Sequence, residues 1–420
     1  MKDVAGLTVL VIDDGPQVEL ACRLARDVAK VYYYSFWEDP FPTMNRGLVG
    51  YGLEGIERVD SPFGYALDQA DLVVFPGIYT GDLQSYLQQQ GKPCFGAGLG
   101  EILEVSRDGT KQLMKELQLP VNKWWKVVGV PALRKFLKSH KDVYVKVNKY
   151  RGTFESFYSK NYELSEPKID EAEYRLGALK NLIEFVVEEK LDDCIEVGCD
   201  FYSAGGKFPN SFLAGAEIKD KSYLGVFKNR DKFPPYMTQF NDAIAPTLQM
   251  LGYQGLLSTE LRVGKDKKPY MIDLCCRQAS PPGELYQEFY NNFTDIVWNC
   301  ANGIVIEPQP LGKYGAEVRI CSSWAATNCQ PIMFPKEYRE LIKLCNAVCV
   351  DGKYYTIPQG YEMSEIGAVI GWGDTWQEAT EMVKEVAKSI EGVGIEIKTD
   401  SFNQVDEEIE KAEKMGLAWL

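Results

Sequence analysis

Histidine is nearly absent from this 420-residue sequence, since only His140 is present, in the polar stretch 138–142. One histidine in such a setting argues against both a histidine-based catalytic triad and a zinc site with several histidines. No apolar run approaches the ~20 residues that cross a bilayer, so no membrane span is expected. The start of the chain also lacks a signal-peptide pattern, because the apolar segment 7–12 ends at once in Asp13 and Asp14. Carboxylates, lysines, arginines and a hard metal such as Mg²⁺ are left to carry any chemistry.

Basic residues are in deficit, with 46 Lys and Arg against 60 Asp and Glu and a formal net charge of −14. This balance argues against broad binding to nucleic acid or to an anionic membrane, because both need a basic face. The 11 cysteines are odd in number and contain no C-x-x-C pair. We interpret them as reduced thiols and expect a cytoplasmic protein.

The first hundred residues alternate strands with helices, a pattern typical of a Rossmann-like parallel sheet. The predicted strands are 7–12, 31–36, 71–75 and 92–95, and the predicted helices are 17–30 and 82–90. Residues 37–64 are interpreted as an excursion over the sheet edge. A nicotinamide-dependent dehydrogenase is one alternative for such a domain, but no Gly-x-Gly-x-x-Gly follows the first strand.

The remainder of the chain mixes strands and helices without this regular alternation. Helices are predicted at 106–117, 171–185, 238–251, 284–302 and 405–415, and strands at 124–128, 143–147, 185–187, 197–202, 212–218, 256–263, 269–276, 315–323, 354–357 and 367–371. A polar loop is expected at 161–170. A further helix is expected after Asp374, with Gln377 at the capping-box position.

Lys146 is the first candidate for chemistry. The valines of Val-Tyr-Val-Lys-Val at 143–147 alternate onto one face, so Lys146 projects from the other face. Such a lysine is either a solvated surface residue or a phosphate-binding point charge on a rigid strand. The basic loop 148–154 that follows contains one glycine and could fold over a polyphosphate.

The predicted hairpin 256–276 is the strongest local signal. Simple alternation places Glu260 and Arg262 on one face of its first strand, and Met271, Asp273 and Cys275 on one face of its second. Two carboxylates on neighbouring strands repel each other unless a cation joins them. The hairpin is therefore either a solvated face with internal ion pairs or a site for Mg²⁺ that bridges nucleotide phosphates.

Acidic residues also follow the apolar segment 185–187. Glu188 and Glu189 come directly after it, and Glu196 follows a few residues later. Strand ends are often simply solvated, but a strand whose backbone pairs with adenine, followed by a carboxylate for the ribose, has the same pattern.

The order of these motifs resembles the ATP-grasp superfamily, and most of all phosphoribosylamine–glycine ligase (glycinamide ribonucleotide synthetase). The likeness spans nearly the whole chain and rests on segments 71–77, 93–96, 103–107, 119–120, 186–191, 252–255, 273–277 and 367–390. It implies an α/β and α+β multidomain fold: an N-terminal Rossmann-like domain (1–105), a two-part ATP-grasp domain (106–190 and 191–312) and a small C-terminal α+β domain (313–420).

The resemblance also implies roles for residues that match the family motifs. The ATP phosphates would be contacted by Arg107 and Lys146. The adenine hinge would contain Glu188, Glu189 and Leu191, and the ribose would be bound by Glu196. The metal would be held by Glu260, Asp273 and Cys275, and the acyl-phosphate would be stabilised by Arg277. Lys146 and Arg277 are thus the expected catalytic residues. The implied cofactors are ATP and Mg²⁺ or Mn²⁺. The implied partners are a small carboxylate and a small amine, which would be joined with release of ADP and phosphate. The sequence leaves open whether the protein is a monomer or a dimer.

Several positions depart from the family pattern. Arg107 replaces a lysine, and Cys275 replaces an asparagine although a thiol is a poor Mg²⁺ ligand. The glycine-rich turn after the first strand is replaced by Asp13 and Asp14, the Thr-Gly-Gly-Met-Gly run is replaced by 224–230, and 278–282 differs after Arg277. We therefore expect substrates other than glycine and phosphoribosylamine. The alternative is an ATP-binding or sensing protein that kept the fold and lost turnover.

Overall fold

A computed structural model describes residues 2–36, 48–149, 156–219, 221–358 and 365–419. Its first sheet has five parallel strands in the order β3-β2-β1-β4-β5. The elements are β1 (Thr8–Asp13), α1 (Val18–Ala25), β2 (Lys30–Ser35), β3 (Ile56–Arg58), α2 (Tyr65–Gln69), β4 (Leu72–Val74), α3 (Gly81–Gln89), β5 (Cys94–Phe95) and α4 (Ile102–Val105). The predicted Rossmann-like sheet is confirmed. Its edge strand β3 escaped prediction because three half-exposed residues show no periodicity.

The second part of the chain forms a four-stranded antiparallel sheet in the order β6-β9-β7-β8. Its elements are α5 (Arg107–Glu116), β6 (Trp124–Val128), α6 (Val130–Leu137), β7 (Val143–Val147), β8 (Ser156–Ser159), α7 (Tyr162–Leu176) and β9 (Glu184–Glu189). The predicted loop 161–170 is wrong, because Asn161 caps α7 by accepting a hydrogen bond from the Leu164 amide at 2.9 Å. The helix predicted at 171–185 accordingly ends at Leu176.

A large sheet follows, with its path running β14-β13-β10-β11-β12-β15-β20-β17. Its first elements are β10 (Ile195–Ala204), β11 (Ser211–Ile218), β12 (Ser222–Asn229), α8 (Pro235–Met250), β13 (Gln254–Val263), β14 (Pro269–Cys275), α9 (Gly283–Phe289) and α10 (Phe293–Ala301). The single helix predicted at 284–302 is two helices, since Tyr290 adopts an extended backbone. Strand β12 was not predicted at all.

The C-terminal strands extend this same sheet. The remaining elements are β15 (Tyr314–Ser322), β16 (Gln330–Met333), β17 (Ile342–Leu344), β18 (Ala347–Val350), β19 (Lys353–Thr356), β20 (Glu365–Gly373), α11 (Trp376–Ala387), β21 (Glu391–Gly392), β22 (Ile395–Ile397) and α12 (Phe402–Lys414). Strand β22 pairs with β15, whereas β18-β19-β16-β21 form a small separate sheet. Thr375 and Glu378 form the capping box of α11, so the predicted cap at Asp374 is wrong by one residue.

The α/β and α+β multidomain class is confirmed, whereas the predicted domain boundaries stay predictions. Within the described ranges, every helix is too short or too polar to cross a membrane. The first antiparallel sheet faces the β13–β14 edge of the large sheet, since Lys146 on β7 bonds to the main chain of β14. This junction places most of the predicted site residues.

Candidate active site

The two predicted carboxylates of the hairpin face each other. Glu260 on β13 lies opposite Asp273 on β14, and a β-bulge beside this pair leaves Ile272 without a partner in the register. Simple alternation put Met271 and Asp273 on one face, which is wrong. The bulge turns Met271 into the core opposite Leu261, where it is 5% exposed, and aims Asp273 at Glu260.

The electrostatics of this pair favour a cation. Burial, together with the charges of Glu217, Asp273 and Glu196, raises the pKa of Glu260 well above its ordinary value, and Lys146 opposes this shift. A divalent cation between Glu260 and Asp273 would relieve the repulsion, and carboxylate oxygens are the donors that Mg²⁺ prefers. The pair therefore fits a hard metal ion.

The third predicted metal ligand is less well placed. Cys275 pairs with Ser258, two residues along the strand from Glu260, and its thiol lies 3.8 Å from the Arg277 carbonyl. Across the part of the chain that the structure describes, no group of three or more His, Cys, Asp or Glu side chains is arranged to hold a metal ion. The set of Glu260, Asp273 and Cys275 stays a prediction.

Lys146 reaches the hairpin from the facing sheet. Its ammonium donates to the Ile272 carbonyl at 2.8 Å and lies 3.4 Å from the Glu188 carboxylate. Burial lowers the pKa of Lys146, but Glu188 and Asp273 more than offset this and leave the pKa above its ordinary value. A charged lysine thus stands beside the two facing carboxylates, at the bulge that positions one of them.

A second buried lysine was not predicted. Lys111 on α5 donates to Asn122 Oδ1 at 2.8 Å, to Glu188 Oε2 at 3.0 Å and to the Met271 carbonyl at 3.1 Å. Asn122 in turn donates to Glu188 Oε2 and to the Glu189 carbonyl, both at 3.1 Å. Burial lowers the pKa of Lys111. Lysines on helices are usually solvated, so the sequence offered little reason to select Lys111. Its position one helical turn after Arg107 was the only indication that it lies in the site.

The residues predicted to bind the adenine and the ribose differ in burial and in their partners. Glu188 is 2% exposed and lies between two lysines; burial raises the pKa of its carboxyl, but Lys146 and Lys111 bring the pKa below its ordinary value. Glu189 is exposed. The Leu191 carbonyl accepts from Arg262 at 3.3 Å, and Glu196 pairs with the same arginine at 2.8 Å.

One predicted arginine lines the cleft between α5 and β14, and the other is bound to a residue that lines it. The lining residues are Leu103, Glu104, Arg107, Thr110, Lys111, Glu188, Met271, Ile272, Asp273 and Leu274. Arg107 begins α5, is 6% exposed and donates to the Val147 carbonyl. Arg277 donates to Glu104 at 3.0 Å, and Glu104 also accepts from the Cys276 amide at 2.6 Å. Glu104, which was not predicted, thereby orients Arg277. Most of the predicted basic loop after Lys146 lies outside the described residues, since 150–155 are not among them.

Solved structures share this architecture over nearly the full chain. Phosphoribosylamine–glycine ligase from Thermotoga maritima matches with a TM-score of 0.70 at 18% identity, covering 93% of this chain and 98% of that one. The protein has the ATP-grasp fold. The biotin carboxylase domain of Hydrogenobacter thermophilus 2-oxoglutarate carboxylase, in complex with MgADP, ADP and bicarbonate, matches with a TM-score of 0.64 at 13% identity, covering 97% and 98%.

An L-amino acid ligase from Bacillus licheniformis has the same fold, with a TM-score of 0.61 at 14% identity and coverage of 93% and 99%. A scan against protein-family models and a search of curated protein sequences found no match. At these identities the likeness establishes the fold of the chain, whereas the reaction depends on the residues in the site of this protein.

Proposed function

We propose that the protein is an ATP-dependent carboxylate–amine ligase that forms an amide through an acyl-phosphate and releases ADP and phosphate. One observation carries this proposal: Glu260 and Asp273 face each other across paired strands while Lys146, from the opposing sheet, bonds to the residue next to Asp273. An ATP-grasp cleft needs these three charges around one metal–triphosphate. The named neighbours, which include ligases and an MgADP complex, support the same reaction class.

Each residue has a role in this scheme. Glu260 and Asp273, with Cys275 beside them, would hold Mg²⁺ or Mn²⁺, which would neutralise the transferred phosphoryl group when bound. Lys146 and Arg107 contact the phosphates, the main chain of 188–191 receives the adenine, and Glu196 faces the ribose. Arg277, held by Glu104, stabilises the acyl-phosphate. Positioning and charge neutralisation supply most of the catalysis.

The loop after β1 is evidence that the substrates differ from those of phosphoribosylamine–glycine ligase. Asp13 is 2% exposed and accepts from the Gln17 amide at 3.0 Å and from the Tyr33 hydroxyl at 2.9 Å. Burial and the neighbouring Asp14 raise the pKa of Asp13 well above its ordinary value. A loop that carries two acids in this way does not cradle a phosphate group.

The first test is the stoichiometry of the reaction. ADP is expected to form only when Mg²⁺ or Mn²⁺, a carboxylate and an amine are supplied together, because the acyl-phosphate needs both substrates to turn over. A pairwise screen of amino acids against amines, read as phosphate and ADP release, measures this directly. AMP as the product would contradict the acyl-phosphate route. ATP binding without turnover across the whole screen would instead favour the sensing protein.

A second test concerns the phosphate lysine. Lys146→Ala is expected to weaken ATP binding by ~1–3 kcal/mol, or roughly 5- to 150-fold, the scale of a lost charged hydrogen bond. Nucleotide titration by calorimetry measures it. Lys126→Ala is the matched control, since Lys126 lies on β6 of the same sheet but is exposed and bound to Asp108 and Glu184, each at 2.8 Å. Equal ATP affinity in the two variants would remove Lys146 from the site.

A further inference from the structure

Asp200 is one of several carboxylates on the same face of the large sheet as Glu260. Asp200 on β10 is 4% exposed, accepts from the Tyr223 hydroxyl at 2.6 Å and accepts from the Ser258 hydroxyl at 2.7 Å. None of the ion pairs found within the described ranges involves Asp200. Buried carboxylates are normally paired with a cation, so this one lacks its usual counter-charge.

Two glycines let Tyr223 reach Asp200. Gly215 and Gly225 lie opposite each other on β11 and β12. A Cβ atom on Gly215 would stand 2.4 Å from the Tyr223 ring, and one on Gly225 would stand 2.6 Å from its hydroxyl oxygen. The ring therefore lies flat over backbone that carries no side chains, and the phenol is held towards Asp200.

Helix α9 adds a hydroxyl without a partner. Tyr286 is 2% exposed, and its hydroxyl makes no hydrogen bond to any atom of the described residues. Its ring stacks on Tyr290 with 6.0 Å between the ring centroids, and the Tyr290 hydroxyl accepts a hydrogen bond from the amide of Leu213, the residue that pairs with Asp200. Leaving a buried hydroxyl unpaired is unfavourable, so a ligand atom is the natural partner.

These groups lie next to the proposed reaction centre. Ser258 precedes Glu260 by two residues on β13, a rise of roughly 7 Å along a strand. The same face carries an arginine, Arg319 on β15, but this residue is bound to Glu365 at 2.7 Å and to the Ser280 carbonyl. The groups that could bind a ligand here are the Asp200 carboxylate and the hydroxyls of Tyr223, Ser258 and Tyr286.

We propose that the cluster of Asp200, Tyr223, Ser258 and Tyr286 binds the ammonium group of the amine substrate, and that this amine carries no phosphate. The inference rests on the proposed ligase function. An ammonium supplies the missing counter-charge for Asp200 and accounts for the unpaired Tyr286 hydroxyl. Ser258, which lines this cluster, is two residues along β13 from Glu260, so the nitrogen would lie next to an acyl-phosphate held at Glu260 and Asp273. The loop after β1, which carries Asp13 and Asp14, offers no cation to a phosphate on the rest of the amine.

The test separates the ammonium site from the phosphoryl chemistry. Hydroxylamine, which is largely neutral at physiological pH, traps acyl-phosphates as hydroxamates without needing an anion to bind it. Asp200→Asn keeps the shape of the side chain and removes its charge. We expect this variant to form hydroxamate at the wild-type rate, with unchanged KM for ATP and carboxylate, while the KM for the ammonium substrate found in a screen rises about 10- to 150-fold.

The screen compares serine with O-phosphoserine and ethanolamine with O-phosphoethanolamine, and the unphosphorylated member of each pair is expected to be preferred. Tyr286→Phe should raise the amine KM alone by about 5- to 10-fold, without loss of thermal stability. Tyr202→Phe is the control. Tyr202 lies on the same face of β10 as Asp200, but its hydroxyl already bonds to the main chain of Ile306. Every KM should stay unchanged in this variant.

Several outcomes would overturn the inference. An unchanged amine KM in Asp200→Asn, or in Tyr286→Phe should Asp200→Asn fail to fold, would remove the cluster from substrate binding. A preference for the phosphorylated amines would contradict the stated substrate class. If wild-type protein forms no hydroxamate with any carboxylate, the proposed ligase function fails and the inference falls with it, a result distinguishable from the first two.

Discussion

Asp273→Asn is expected to reduce metal-dependent ADP formation by at least about 10²-fold while the protein stays folded. Asp273 faces Glu260 at the bulge, and its Oδ1 accepts from the Leu274 amide at 3.0 Å, a bond that an asparagine carbonyl can also accept. The variant therefore retains its local structure but supplies no charge to a cation. Metal-assisted charge neutralisation stabilises a transition state by several kcal/mol, and each 1.4 kcal/mol is about tenfold in rate.

The measurement is ADP release as a function of Mg²⁺ concentration, combined with thermal unfolding. Removing one of two facing charges also lets the pKa of Glu260 fall back, because Asp273 is among the groups that raise it. Stability should change little, because the relief at Glu260 is offset by the loss of the attraction between Asp273 and Lys146. Asp266→Asn, in the exposed turn of the same hairpin, is the control and should keep full activity. Full activity in Asp273→Asn would place the metal elsewhere.

The fold could be predicted where hydrophobic periodicity was strong. The parallel strands near the N-terminus and the paired strands 256–263 and 269–276 were found because apolar residues recur with the right spacing. Helix α7 was missed because its first half is polar and contains Pro167, while the few residues that it buries include Ser165, Ile169 and Ala172. Its capping residue Asn161 was interpreted as part of a loop, which is the other common environment of asparagine.

The site could be predicted only for residues whose role follows from charge and position in a strand. Glu260, Asp273 and Lys146 were named from the sequence, and the structure brings the three together. Partners that depend on tertiary contacts could not be found: Glu104 and Lys111 lie 173 and 160 residues from the groups that they bind on the hairpin side. A bulge shifts side chains by one position and leaves no mark in hydrophobic alternation, so the face of Met271 was predicted wrongly.

The neighbouring glutamates on β9 also could not be told apart from the sequence, and one of them gives the second prediction of a large effect, a loss of stability. From the sequence Glu188 and Glu189 are equivalent, yet Glu188 is 2% exposed and contacts Lys111 at 3.0 Å and Lys146 at 3.4 Å. Glu188→Ala would leave two buried ammonium groups without their shared counter-charge. Breaking such a buried ion pair costs about 3–5 kcal/mol, so the free energy of unfolding should fall by that amount.

Urea unfolding of three variants tests this assignment. Glu189→Ala, on the same strand but exposed, should change stability by no more than about 0.5 kcal/mol. Glu188→Gln should fall between the two, because its amide oxygen still accepts from one lysine but carries no charge. Similar stability of Glu188→Ala and Glu189→Ala would contradict the buried network. Glu188 is then the counter-charge that two buried lysines share, and it helps to keep Lys146 a cation before any nucleotide binds.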